Sequence, residues 1–326
     1  MQYGRCTPII ELDSAAAGRL AGVAALAKGF ALHARSERTR QAYSWQWRRF
    51  TEWCEQHGLA PLPAAAGTVA MYLSAGADAG LAAATLAQAL AAIGEAHRLV
   101  GQESPRGAPV VREAWKGIRG VIGARQRRAS PLLVAELQTL TATLPETAAG
   151  KRDRALLLIG FAGAFRRSEL VGLRVADLVF SGEGLIVHVR RAKNDQDGSG
   201  AAVGIPFGAI EATCPVRALQ AWLHAAGVSD GPVFRSVDRH GNVRGALRGR
   251  DVARIIKRTA RRSGLDAARY SGHSLRAGLA TSAAKAGKSD RAIMRQGRWA
   301  SRSMVDRYVR DATLLGEENA AARLGL

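Results

Sequence analysis

The chain has 326 residues, with 47 Lys and Arg against 27 Asp and Glu, a formal charge of +20. That length is ample for two domains that each bury a core, and a positive excess in both halves favours a polyanionic partner, although an arginine-rich solvated surface would give the same count. Three scattered cysteines, Cys6, Cys54 and Cys214, have no spacing that suits a disulfide framework or a zinc site, and neither the N-terminal residues nor the alanine-rich stretch 79–93, interrupted by Gln88, reads as a signal or a membrane span. The expectation is a protein of the reduced cytoplasm, associated with the nucleoid.

Residues 1–35 are alanine-rich and weakly patterned, an N-terminal extension compatible with disorder and without an assigned role. From residue 36 the pattern sharpens. Tyr43, Trp47, Phe50 and Cys54 recur at spacings of four, three and four, one stripe of a helix that stops near His57-Gly58. Helices over 68–75, 82–100 and 110–120 follow, so residues 36–123 read as a helical domain. Trp47 and Phe50 share the apolar face and belong to its core. Thr39, Arg40 and Gln88 are polar residues near or on helices and are candidate DNA contacts, with ordinary exposed side chains as the plain alternative.

Residues 124–131 form a basic linker carrying Arg125, Arg127 and Arg128 and ending in Ser130-Pro131, which disfavours helix and suits an extended connection. It is read either as a phosphate-backbone crossing or as a solvated hinge. Beyond it, residues 132–326 predict helices at 132–143 and 152–164. A strand at 184–191, a polar turn at 194–200 and a strand at 202–206 come next. Helices resume at 215–225, 250–263, 274–286, 290–295 and 303–309. The fold class is mainly α with a small antiparallel β-sheet: a helical domain followed by an α+β domain. Arg250, opening the helix at 250, is a plausible base reader because arginine pairs well with guanine.

Chemistry concentrates in a few places. Arg166, in Phe165-Arg166-Arg167-Ser168-Glu169-Leu170, follows a buried helix and is expected to share a helical face with Glu169. His273 and Arg276, three apart at a helix start, are expected to address one phosphate from one face, beside helix N-terminal N–H groups. Trp299 and Tyr308 come nine residues apart near the end. Two guanidinium forks can hold the non-bridging oxygens of one phosphate and favour the charge that builds up as a nucleophile attacks. A tyrosine can be that nucleophile, and such a site needs no metal. Lys285-Ala286-Gly287-Lys288-Ser289 fails as a phosphate-binding loop, since Ser282 stands where its first glycine is needed, and no His-Glu-x-x-His or carboxylate cluster suggests a metallonuclease.

Taken in order, Phe165 to Leu170, Lys193, Ser271-Gly272-His273-Ser274-Leu275-Arg276-Ala277-Gly278, and Gly297-Arg298-Trp299 through Arg307-Tyr308 resemble the catalytic domain of the tyrosine recombinase (phage integrase) family, its Cre-like members above all. The helical half is similar to that family's SAM-like core-binding domain. The resemblance implies a site-specific DNA recombinase that cleaves and rejoins strands through a 3′-phosphotyrosine, without ATP, divalent ion or other cofactor, as a homo-tetramer on double-stranded DNA with inverted-repeat sites. It selects Arg166 over Arg167 because the family's arginine stands three residues before the acidic one, and it makes Tyr308 the nucleophile, Arg166, His273 and Arg276 phosphate-binding residues and Glu169 a carboxylate that orients a neighbour. Trp299 stands where many relatives carry histidine; an indole cannot shuttle a proton, so it positions or packs. Lys193 corresponds to the hairpin lysine that protonates the leaving 5′ oxygen, with a plain surface lysine as the alternative. A histidine common after the second arginine is here Ala277. Two other readings stay open: a type IB topoisomerase-like relaxing enzyme and a non-catalytic sequence-specific DNA-binding protein.

Overall fold

The computed structural model describes residues 37–123, 129–190 and 200–313. The chain divides into two compact units, residues 1–127 and 128–326.

Among its described residues the first unit has four α-helices: α1 Glu37–Gln56, α2 Ala66–Asp78, α3 Ala83–Leu99 and α4 Pro109–Ile122. The aromatic stripe on α1 makes its core, with Phe50 and Cys54 fully buried against Val69, Tyr72 and Leu73 of α2 and Leu86, Leu90 and Ile93 of α3. Phe50 meets Tyr72 edge to face at 5.1 Å. His97, fully inside, has both ring nitrogens engaged: Nε2 accepts from the Ala64 N–H at 2.8 Å and Nδ1 donates to the Ile93 carbonyl at 2.8 Å. That is a core histidine holding the loop before α2 onto α3. Gly58, at φ 65, lets the chain turn out of α1.

The second unit opens with α5 Val134–Ala142 and α6 Ala148–Ala162. Helix α6 starts four residues before the expected 152, because Thr147 caps it by accepting the Gly150 N–H, and it ends two before the expected 164, because Ala164 is left-handed. After the short α7 Arg167–Gly172, strands β1 Leu178–Phe180, β2 Gly184–Val189 and β3 Ala201–Pro206 form an antiparallel sheet in that order. The β2–β3 register runs from Gly184 opposite Pro206 to Val189 opposite Ala201. Alternation buries Leu185, Val187 and Val189 while Ile186 and His188 face out. Helix α8 Pro215–Ala225 packs on α6 and buries Trp222, whose indole N–H donates to the Val233 carbonyl. A second sheet, β4 Arg235–Val237 with β5 Val243–Ala246, precedes α9 Gly249–Arg262, and α10 Ser274–Lys285, α11 Asp290–Gly297 and α12 Arg302–Thr313 complete the described chain. Most of the unit's core gathers between α6, α8, α9 and the first sheet. A separate small cluster of Ala164, Ala277, Ala280, Ile293, Trp299, Val305 and Tyr308 joins α10, α11 and α12.

Candidate active site and nucleic-acid interface

The site grows from the end of α6. Its last turn runs into Gly163-Ala164-Phe165-Arg166, where Ala164 is fully buried with φ 45, an uncommon backbone for a residue with a Cβ. Gly163 is needed beside it, since a Cβ there would lie 2.1 Å from the Phe165 ring. The Ala164 carbonyl accepts from two guanidinium groups, Arg276 Nη1 at 2.6 Å and Arg298 Nη2 at 3.3 Å.

Arg166 does not share a helical face with Glu169, contrary to the spacing argument. It precedes α7 with an extended backbone, φ −67 and ψ 151. The two residues are joined instead by capping: Glu169, third in α7, reaches back and accepts the Arg166 backbone N–H at 2.9 Å and its Nη1 at 2.6 Å. The same carboxylate accepts Arg298 Nη2 at 2.8 Å. Burial works to raise the pKa of Glu169, but the Arg298 charge and then the hydrogen bonds from Arg166 outweigh it and hold the carboxyl below its usual range. Arg167 turns elsewhere, its stem filling the space a Cβ on Gly272 would need.

Arg276 lies within α10 and is only 2% exposed. Its guanidinium stacks 4.1 Å from the centre of the Trp299 ring. Burial pushes its pKa down to about 9, helped by the nearby charges of Arg166 and Arg298 and opposed by Glu169 and Tyr308. All four groups are therefore close enough to act on it electrostatically. His273 caps α10 rather than lying in it, is exposed, and donates its backbone N–H to Ser271 Oγ at 3.1 Å. Its backbone, φ −95 and ψ −14, is already near-helical, so it stands one turn before Arg276 at the same end of α10, exposed where Arg276 is buried.

Helix α11 stops at Gly297, where a Cβ would collide with the indole of Trp299 at 1.8 Å. Trp299 can fold back over Arg276 only because that position is glycine. Tyr308, on α12, places its ring 5.7 Å from Trp299 at 49°. Both rings are largely buried, at 8%.

The structure thus brings together Arg166, Glu169, Arg276, Trp299 and Tyr308, with His273 opening the helix that carries Arg276. Lys193, Arg125, Arg127 and Arg128 lie outside the described residues. In the first unit Thr39 is half-buried, Arg40 pairs with Glu37, and Gln88 is exposed, its Oε1 accepting from the buried Gln46 Nε2 at 3.2 Å. Arg250 is exposed on α9, where Arg254 and Arg258 repeat it every four residues to make a basic stripe opposite the buried Val252, Ile255 and Ile256. Sequence reasoning missed that stripe, although its spacing of four was readable. It also passed over Arg298, and Gln296, whose Nε2 donates to the Ala162 and Gly204 carbonyls. Among the described residues no group of His, Cys, Asp and Glu could hold a metal ion, and no helix is long and apolar enough to cross a membrane.

Comparison with known proteins places the chain. The model of the phage integrase family matches residues 132–314, a span that contains the whole arginine cluster. An integrase/recombinase XerD homolog of Selenomonas ruminantium is 38% identical over 295 residues, covering 89% of this chain and 86% of that protein. The chain belongs to the phage integrase family. It is a site-specific DNA recombinase, a tyrosine recombinase by family. Recombinase Cre of Escherichia phage P1 is 26% identical over 315 residues, covering 88% of this chain and 90% of that one. Among solved structures, the post-cleavage complex of the XerH site-specific recombinase on palindromic difH substrate aligns with a TM-score of 0.59 at 19% identity, over 79% of this chain and 72% of that chain. A lambda integrase dimer bound to a COC′ core site aligns at 0.57 and 17%, over 86% and 74%. Those structures establish the integrase fold: mainly helical units with the small antiparallel sheet.

Proposed function

We propose that Tyr308 is the nucleophile of this recombinase and that Arg166 and Arg276 grip the phosphate it attacks. The observation that carries this reading is the burial of Arg276 among like charges. A guanidinium pushed down to about 9 by desolvation and by Arg166 and Arg298 is short of anions, and a phosphate arriving between the arginines supplies one. Trp299 fixes the plane of Arg276 from one side, while Glu169 holds Arg166 from another. His273 donates from the exposed start of α10.

Attack by the Tyr308 oxygen on phosphorus forms the O–P bond of a 3′-phosphotyrosine, its phenolic proton passing to water, and breaks the bond to the 5′ oxygen, which takes a proton from Lys193 and leaves as a free hydroxyl. The phosphotyrosine conserves the bond for religation to another strand, so neither ATP nor a metal ion enters the balance. Thr39, Arg40 and Gln88 in the first unit, the linker arginines Arg125, Arg127 and Arg128, and Arg250 contact the duplex, phosphates setting position and bases setting preference. The enzyme works as a homo-tetramer on paired inverted-repeat sites. A palindromic substrate in the XerH complex and a dimer on DNA in the lambda integrase complex support paired, symmetric sites.

The test is trapping. Protein is incubated with nicked suicide duplexes bearing the host element's junction sequences, without metal, and run on a denaturing gel beside Tyr308→Phe. A metal-independent covalent adduct that disappears in the variant is the expected result; firm binding without an adduct on any duplex overturns the reading. Deletion of residues 314–326 is expected to weaken pairing of two sites while sparing binding to one, and unchanged pairing rules out an assembly role for that segment.

A further inference from the structure

Arg298 makes no contact with phosphate in the chemistry just described, yet its setting is tightly constrained. It follows Gly297 with φ 55 and ψ 46, the left-handed conformation that glycine adopts freely and a residue with a Cβ does not. The glycine that would suit that backbone stands one position earlier, where the Trp299 indole requires it. Arg298 therefore bears the left-handed turn itself, held there by its side chain. Nη1 donates to the carbonyls of Gly163 at 3.1 Å and Gln296 at 3.0 Å, Nη2 donates to the Ala164 carbonyl and to Glu169 Oε2, and the guanidinium lies 5.0 Å from the centre of the Phe165 ring. Its Nε is buried without a hydrogen-bond partner among the described atoms. Strain and an unmet donor at one buried residue persist where the surroundings over-determine a geometry.

Two of its partners are shared, and the sharing gives the residue its meaning. Glu169 also holds Arg166, through the backbone N–H and Nη1. The Ala164 carbonyl also holds Arg276 Nη1. One guanidinium thus touches both groups that orient the two proposed phosphate-binding arginines, and the residue after it supplies the ring that covers Arg276. We infer that Arg298 is a positioning residue for the strand-cleavage step, a brace that sets the spacing of Arg166 and Arg276 through Glu169 and the Ala164 carbonyl while fixing Trp299 over Arg276. Its side chain is 8% exposed and both terminal nitrogens are engaged within the protein, so it acts through these neighbours and not on the phosphate. The inference rests on the roles proposed above for Arg166, Arg276 and Tyr308.

The test uses the full chain with Arg298→Gly and Arg298→Lys. Three quantities are measured on each: the single-turnover rate of adduct formation on the suicide duplex, the Kd for intact duplex, and the melting temperature. Glycine relieves the left-handed backbone but removes the buried pair to Glu169, so R298G is expected to melt below the wild type; at an assay temperature well below both melting points it is expected to bind DNA within about twofold, yet to form adduct at least about tenfold more slowly, because a small displacement of gripping groups is costly at the transition state. Lysine keeps the charge without the fork and is expected to be slow as well. Free guanidinium ion at about 10 mM is expected to restore R298G severalfold by occupying the vacated slot, while sodium at equal ionic strength does not; a merely structural arginine predicts no such rescue. Rescue should vanish when Glu169→Gln is added. Adduct formation by R298G or R298K within twofold of wild type overturns the inference, as does a rate loss accounted for by weaker DNA binding or by the fraction of protein unfolded at the assay temperature. Wild-type protein runs in the same assay: if it forms no Tyr308-dependent adduct, the underlying reading fails, whereas equal wild-type and R298G adducts sink only the brace.

Discussion

Two sets of arginines in the second unit solve opposite problems. Arg276 and Arg298 are buried, each stacked on an aromatic ring and bonded to named carbonyls or to Glu169. Arg250, Arg254 and Arg258 stand exposed along α9, Arg254 with a loose 3.4 Å pair to Asp251 and Arg258 tied at its tip to Asp153. Burying a guanidinium costs desolvation and is tolerated only with specific partners, so the first set has one geometry. An exposed guanidinium keeps its water, so Arg250 and Arg254 offer charge without a fixed pose, while Arg258 is held by Asp153. If the roles proposed above hold, the contrast separates gripping one phosphate from tracking many.

The contrast breaks most visibly at Arg276. Replacement by alanine removes a buried donor proposed to grip the reacting phosphate and is expected to slow adduct formation about 10²- to 10³-fold at saturating DNA, with duplex affinity nearly kept; single-turnover kinetics against a binding curve measures both. The exposed set should do the reverse. Arg250→Ala with Arg254→Ala is expected to weaken binding, to reduce the slope of log K against log salt by about one for each arginine that meets a phosphate, and to leave the saturated cleavage rate alone. Selection on a randomised site then sharpens the point: loss of Arg250 alone should relax preference at one base pair if it reads guanine, and loss of Arg254 should not.

The smallest effect expected is a pH dependence of stability. The folded-state pKa of Glu169 lies below its ordinary value of 4.5, so its ionised form contributes stability that is fully present above about 4.5 and is lost as pH falls through the folded pKa. Glu169→Gln should flatten that acid limb in thermal melts between pH 5 and about 3; an unchanged limb would assign the acid loss to other carboxylates.

The buried set was legible in the sequence where chemistry demanded a residue type and illegible where tertiary structure chose the pose. Arg166, Glu169, Arg276, Trp299 and Tyr308 stood out as residues in order, and they meet in space. The helical stripe of Trp47, Phe50 and Cys54 did become a core, since period and apolarity coincide there. Arg298 carried no such sign: a left-handed arginine after a helix is dictated by the indole packed against Gly297, a contact no local pattern encodes. The Arg166–Glu169 spacing suggested a helical pair and yielded a capping pair, because i and i+3 are neighbours in both arrangements and only the helix start distinguishes them. Strand β1 and the β4–β5 pair escaped notice for a different reason. Each strand spans three or four residues, too few for alternation to register, and the register of β4–β5 shifts between Arg235 and Val237.

The first described residues of the second unit run beside α10, the helix that carries Arg276. Ser130 donates its backbone N–H to the Arg269 carbonyl at 2.7 Å, Leu132 donates to the Ser274 carbonyl at 3.0 Å, and the Leu132 carbonyl fills the space over Gly278 so closely that a Cβ there would lie 1.9 Å from it. The contacts at Ser274 and Gly278 bracket Arg276 on α10, and the one at Arg269 lies just ahead of that helix. A chimaera joining a foreign N-terminal half to this catalytic half therefore has a safe seam and a damaging one: a splice before Ser130 carries the stitched strand along intact, while one placed between residues 130 and 134 cuts away the lining of α10 and leaves Gly278 facing an empty slot.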